Sequence, residues 1–219
     1  MEITAAFAVP ICHARLESCE RLNRELEQLF LARETQEYQN PTPSHNPQPE
    51  MFESRYDLFT WPEPGIQELR KFMLEAVFRT AMAASEMAPG DFARLTLNNH
   101  TWFHVTRHSG YFVSHNHALA SWSAVYCVKD GMDPAGNSRG GLLRLFDTRA
   151  GADAYLDPAN QRLRPPFGVG NLDLQLKPGQ LIVFPSYLFH EVTPYYGNDV
   201  RITVASNCWF SVPAPGAAQ

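Results

Sequence analysis

Two histidines flank a single asparagine in VSHNHALASW (113–122): His115 and His117. Residues two apart on a strand point to the same side. Both imidazoles could therefore converge on one ion inside a barrel; the other reading is two ordinary polar residues on a strand. A third histidine, His190, stands in FPSYLFHEV (184–192), beside another strand-like run, and Arg201-x-Thr203 follows it by eleven residues. Alternation in VRITVASNCWF (200–210) puts Val200, Ile202 and Val204 on one face and Arg201, Thr203, Ala205, Asn207 and Trp209 on the other. If the first set packs against helices, the second lines an interior. A buried arginine is almost always paired, and its planar fork suits a carboxylate. That carboxylate could belong to a ligand or to an Asp or Glu of the chain; Thr203 could add a hydroxyl.

The other polar candidates are weaker. His100, His104 and His108 recur every four residues in a strand-like stretch and read as a partly exposed polar stripe. Trp122, Tyr187 and Trp209 lie near the motifs and could wall a pocket or simply fill the core. Arg144 sits two residues from Leu142 and from Phe146 in an apolar run; pointing inward, it could hold a substrate carboxylate.

These residues need a frame. Residues 14–34 place Leu16, Cys19, Leu22, Leu26, Leu29 and Phe30 at helical spacing, and residues 64–86 do the same with Ile66, Leu69, Phe72, Met73, Ala76, Val77 and Ala81. Each helix would bury one stripe against something larger. Between them, NPTPSHNPQPE (40–50) holds four prolines and must be a loop. From Leu95 onward the pattern is short apolar, β-branched and aromatic runs separated by turn residues: LTLNNHTWFHV, YFVSHNHA, WSAVYCVK, GLLRLFDT, LDLQLK, QLIVFPS and VRITVASNCWF. That pattern predicts an all-β barrel or sandwich. KPGQ (177–180) reads as a type II turn. Residues 148–170 lack a period and read as a long surface loop; this segment and the proline loop are lid candidates. The expected organisation is one domain over 1–219: a helical N-terminal part (1–94), a β core (95–210) and a tail (211–219).

Bulk properties exclude several classes. A net charge of −5 offers no basic face for nucleic acid. No apolar run approaches a membrane-spanning length, and the first residues lack the positive region of a signal peptide. Cys12, Cys19, Cys127 and Cys208 form no C-x-x-C pair, and Cys127 and Cys208 fall in strand-like runs. The expectation is a cytoplasmic protein without disulfides.

Taken in order, four blocks resemble the Fe(II)/2-oxoglutarate-dependent oxygenases. Gly110-Tyr111 precedes His115-x-His117 and WSAVYCV. GGLLRLFD (140–147) resembles the family's glycine-glycine step into a strand. PGQLIVFPSYLFHEV (178–192) resembles its strand with the distal histidine, and Arg201-x-Thr203 follows at a similar spacing. The resemblance covers residues 95–210 and is nearest to a branch of the superfamily that also carries H-x-H.

The resemblance implies a mainly β, double-stranded β-helix (a cupin-like jelly roll) buttressed by the N-terminal helices. It implies Fe(II) held by His115, His117 and His190, 2-oxoglutarate as cosubstrate with its distal carboxylate on Arg201 and Thr203, and O2 as oxidant. The activity implied is decarboxylation of 2-oxoglutarate to succinate coupled to oxidation of an unactivated C–H bond. The expected partner is a small, amino-acid-like substrate. The sequence departs from the usual triad of two histidines and one carboxylate at His117. An imidazole there leaves the iron one unit more positive, which favours an anionic cosubstrate; a water in its place is the other arrangement. Two further functions fit H-x-H with a distal histidine: a three-histidine cupin-type dioxygenase working without 2-oxoglutarate, and a non-catalytic jelly-roll binding module. Arg201-x-Thr203 argues for the cosubstrate.

Overall fold

The computed structural model describes residues 1–42, 48–132 and 139–213. The elements are β1 (Cys12–Arg15), α1 (Glu20–Ala32), β2 (Met51–Glu53), α2 (Pro64–Ala83), α3 (Pro89–Phe92), β3 (Thr96–Thr106), β4 (Phe112–His115), β5 (Trp122–Lys129), β6 (Leu143–Leu145), β7 (Leu172–Leu174), β8 (Gln180–Pro185), β9 (His190–Val192) and β10 (Arg201–Ser211). They build a six-stranded sheet in the order β1-β8-β5-β10-β3-β2 and a four-stranded sheet in the order β4-β9-β6-β7. This is the mainly β jelly roll, with helices on one sheet, that the sequence implies.

The alternation read from the sequence is what separates core from site. β10 pairs with β3 without interruption from Arg201↔Thr106 to Ser211↔Thr96. On one face of the large sheet, Phe103, Val105, Tyr126, Val128, Leu181, Val183, Ile202 and Val204 form a single core with Leu22, Leu26 and Phe30 of α1 and Ile66, Leu69, Met73 and Val77 of α2. Phe30 stacks on Phe103 with ring centroids 4.3 Å apart. Truncating either ring to alanine should cost about 3–5 kcal/mol. The opposite face looks toward the small sheet. At one end it fills with Cys127, Ile182, Phe184, Leu143, Leu145, Leu176 and Leu188; at the other end lies the site.

Several boundaries differ from the sequence reading. The first helix begins at Glu20, not at residue 14, because Cys12–Arg15 pairs antiparallel with Gln180–Val183 and Ser18 breaks the chain with a positive φ of 52°. The second helix starts at Pro64 as expected, where a missing N–H costs nothing, and ends at Ala83. YFVSHNHA is strand only over Phe112–His115. The short β2 and β9 were not separate expectations. KPGQ does form its turn: Gly179 has φ 86°, and the Gln180 N–H donates to the Lys177 carbonyl at 2.9 Å.

Residues 43–47 of the proline loop and 214–219 of the tail lie outside the described residues. The segment 148–170 contributes no residue to the lining of the site; Thr148, Arg149, Phe167 and Gly170 line a separate cavity with Phe7 and Val9. All four cysteines are free thiols, and burial pushes Cys127 up to about 12. No helix among the described residues is long and apolar enough to cross a membrane.

Candidate functional site

His115 ends β4 and His190 opens β9, directly opposite each other in the ladder. Their rings therefore meet, with centroids 4.3 Å apart. His117 arrives by a different route from the one its spacing suggests. The strand has ended, so parity does not aim it. The chain turns instead, pinned where the His117 N–H donates to the Ser186 carbonyl (2.9 Å) and the Ala120 N–H donates to the His117 carbonyl (3.0 Å). The His117 ring lies 5.0 Å from that of His115 and 5.1 Å from that of His190. Ligand atoms of all three histidines fall within 4.8 Å of one another.

Two of the tautomers follow from the contacts. Nδ1 of His115 lies 2.7 Å from the Val113 carbonyl, and Nδ1 of His190 lies 2.9 Å from the Leu188 carbonyl. A carbonyl only accepts, so each Nδ1 carries a proton, which makes Nε2 the atom that each ring in its neutral form would offer to a metal. Three neutral imidazoles suit iron as well as zinc. His190 is buried, whereas His115 and His117 are half-buried, so the centre is open on one side.

The same cavity ends at Arg201, which is 3% exposed, and at Thr203 beside it, 2% exposed. Burial lowers the guanidinium pKa, a measure of how poorly the charge is solvated there. Among the described residues no carboxylate lies within ion-pair distance of it. Gly141 gives it room: a Cβ there would lie 3.2 Å from Arg201 Cδ, and the backbone has φ 64°. The hydroxyl of Thr106, the cross-strand partner of Arg201, is buried without a hydrogen-bond partner among the described residues. A metal end and a desolvated cation in one cavity fit a metal-bound diacid.

Sequence reasoning missed one wall. His104 is not part of an exposed stripe; it is buried and faces the cavity with Trp102 and Glu53. Glu53 Oε2 lies 3.1 Å from His104 Nε2, and Glu53 Oε1 accepts from Asn40 at 2.7 Å and from Tyr56 at 3.1 Å. Burial alone would raise the Glu53 pKa, but these hydrogen bonds outweigh it and hold the carboxyl at about 2. Trp102 Nε1 sits 2.9 Å from the same His104 nitrogen. One nitrogen cannot accept from Trp102 and donate to Glu53 together, so the ionised Glu53 favours the form that donates to it. The available signal was parity: His100, Trp102 and His104 share the strand face that pairs with Asn207, Ala205 and Thr203.

The remaining candidates divide. Trp209 lines an outer chamber that adjoins the cavity through Trp102, His117 and Asn207. Trp122 packs on the helix-side core instead. Tyr187 is 56% exposed and lines neither chamber. Arg144 does not hold substrate: its Nε and Nη2 donate to Asp173 (2.7 and 2.8 Å) and its Nη1 donates to Glu191 (3.1 Å). Its cross-strand partners on β7 and β9 are those two carboxylates.

Comparison with known proteins adds the family. A family model described as "Putative 2OG-Fe(II) oxygenase" matches residues 100–207, about half of the chain. No curated protein matches the sequence significantly. Among solved structures, a prolyl-4-hydroxylase from Pseudomonas putida superposes with TM-score 0.60 at 19% identity, covering 94% of each chain. A prolyl hydroxylase from Trichoplax adhaerens, solved with a hypoxia-inducible factor peptide fragment, gives TM-score 0.58 at 12% identity over 91% of this chain and 83% of that one. The epimerase SnoN, in complex with Fe3+, α-ketoglutarate and nogalamycin RO, gives 0.57 at 10% identity over 97% and 88%. At these identities the superpositions speak for the fold.

Proposed function

The chain belongs to the Fe(II)/2-oxoglutarate-dependent oxygenases, and on that premise we propose that it hydroxylates an unactivated C–H bond of an organic substrate. In the balanced reaction, substrate C–H, O2 and 2-oxoglutarate give C–OH, succinate and carbon dioxide. One oxygen atom enters the substrate and the other enters succinate. The observation that carries this reading is the pairing, within one cavity, of three convergent imidazoles with a buried arginine that has no carboxylate partner among the described residues.

His115, His117 and His190 would hold the iron, and Arg201 with Thr203 would receive the distal carboxylate of 2-oxoglutarate. Bound iron supplies the activation of O2 that side chains cannot provide. The chain supplies position. The Val113 and Leu188 carbonyls lock the imidazoles of His115 and His190 in the ligating tautomer. Arg201 contributes a charge-assisted contact of about 1.5–3 kcal/mol, enough to favour a diacid over a monoacid. Trp102 and Phe112 narrow the cavity and keep bulk water from it. With three neutral ligands, the near carboxylate of 2-oxoglutarate would offset part of the charge of Fe(II), while Arg201 would pair the distal one.

Protein supplied with Fe(II) and O2 should convert 2-oxoglutarate to succinate and carbon dioxide, slowly without substrate. Absence of succinate from protein shown to bind iron contradicts the proposal and favours a three-histidine dioxygenase that needs no 2-oxoglutarate.

A further inference from the structure

The outer chamber limits what can be oxidised. It has a volume of about 360 Å³, within the range of small-ligand pockets. Its wall is a run of aromatic rings: Trp209 meets His100 at 4.9 Å, Tyr56 meets Trp102 at 4.7 Å, and Trp102 lies 6.0 Å from His117. The facing lip, Ala118, Leu119 and Ala120, is aliphatic, and Leu119 is 98% exposed. Asn207 is the polar group between the two surfaces. His117 and Trp102 line this chamber and the inner cavity alike, so a group seated here faces the histidine centre.

Among the described residues, the outer chamber offers no lysine or arginine to the carboxylate of a free amino acid. No lysine, arginine, aspartate or glutamate lines the outer chamber among the described residues. The segments outside the described residues contain no lysine or arginine. In the inner cavity Arg201 is the sole lysine or arginine among the lining residues, and it lies at the cosubstrate end. Arg144 is held by Asp173 and Glu191. A carboxylate carried next to the reacting carbon would meet indole and aliphatic carbon, with no lysine or arginine among the described lining residues to pair it.

Resting on the oxygenase reading above, we propose that this chamber takes an uncharged aliphatic ring or branched chain flanked by amides, as in a residue within a peptide, and rejects the free amino acid. The aromatic wall contacts the C–H face of the group, the Asn207 carboxamide meets a neighbouring amide, and the exposed Leu119 touches the chain beyond. This narrows the amino-acid-like expectation from the sequence to its neutral, chain-embedded form.

The test compares matched probes with the iron-loaded full chain: N-acetyl-L-proline methylamide and N-acetyl-L-leucine methylamide against free L-proline and L-leucine. Succinate formation and addition of one oxygen to the probe are measured together. At least one capped probe should be hydroxylated and raise succinate formation about tenfold or more above the free amino acids, as expected for the loss of an unpaired buried charge. Trp209→Ala should raise the KM for that probe about tenfold with little change in kcat, whereas Trp209→Phe stays within about twofold. Equal or better turnover of the free amino acids overturns the assignment. Turnover of neither capped probe, with succinate still formed slowly in its absence, also overturns it and leaves the oxygenase reading standing. No succinate under any condition defeats the oxygenase reading itself.

Discussion

The two ends of the inner cavity are built in opposite ways. Arg201 and Thr203 stand on β10, in the middle of the large sheet, where eleven consecutive residues pair with β3 and the reverse face is sealed by two helices. His115 and His190 stand on the small sheet, whose strands are three or four residues long, and His117 follows β4 on no strand at all. The arginine is aimed by sheet register. The histidines are aimed by local backbone contacts: carbonyls two residues back for His115 and His190, and the Ser186 carbonyl for His117. A wall built on a long paired strand thus carries the proposed cosubstrate anchor, while the proposed metal ligands sit on a rim of short strands. Changes at the rim should affect metal before stability; changes at the wall should affect cosubstrate or the whole fold.

The largest effect expected from this contrast is at the rim. His115→Ala should lower Fe(II) affinity by at least about 100-fold with little loss of stability in the metal-free protein, because its ring is half-buried; His190→Ala should lower it as much but also cost stability, because His190 is buried against Phe184. Metal titration of the purified variants, alongside thermal unfolding, checks this. His117 gives a finer test. His117→Asp should keep metal and His117→Ala should lose it; if alanine binds as well as wild type, the centre is a two-histidine one.

At the wall, Arg201→Met should raise the apparent 2-oxoglutarate constant by about 100-fold, near the upper range of a lost charge-assisted contact. It should leave Fe(II) affinity within about threefold and leave folding stability unchanged or higher, since a buried charge without a protein partner is removed. An Arg201→Met variant that unfolds would make Arg201 a structural residue.

Glu53 tests the neglected wall through pH. Its carboxyl is held at about 2, below the ordinary 4.5, so its contribution is fully present above about pH 4.5 and is lost as pH falls toward 2. Linkage puts that contribution on the order of 3 kcal/mol. Denaturant unfolding as a function of pH should therefore show a steeper acid limb for wild type than for Glu53→Gln; parallel limbs would dissociate Glu53 from the stability of this wall. The smallest effect belongs to Arg144→Ala. Its ion pairs are largely solvent-facing and should contribute no more than about 1 kcal/mol, with no change in the 2-oxoglutarate constant.

How much of this was readable in advance follows the same division. Parity along β10 placed Arg201, Thr203, Ala205, Asn207 and Trp209 on the cavity face and Ile202 and Val204 on the core face, because a long, regular strand keeps its two-residue period. The same rule applied to H-x-H brought the right residues together for the wrong reason, since the strand stops at His115. Glu53 was invisible because its strand is three residues long and His104, the partner that draws it to the cavity, lies 51 residues away in the chain. His104 looked exposed because its sequence shows polarity, not the carboxylate across the ladder that makes burial tolerable. Arg144 was open to an inward reading because Asp173 and Glu191 become its neighbours only through the β6 pairings.

The central claim is that the rim and the wall act on a single bound molecule. Anaerobic protein loaded with Fe(II) and titrated with 2-oxoglutarate, followed by visible absorption, tests it most directly. A metal-to-ligand charge-transfer band should grow in and saturate for wild type. For Arg201→Met it should reach the same position and height at about 100-fold higher 2-oxoglutarate, and it should be absent for His190→Ala. No band in iron-bound wild type, or a midpoint unchanged in Arg201→Met, would contradict the account.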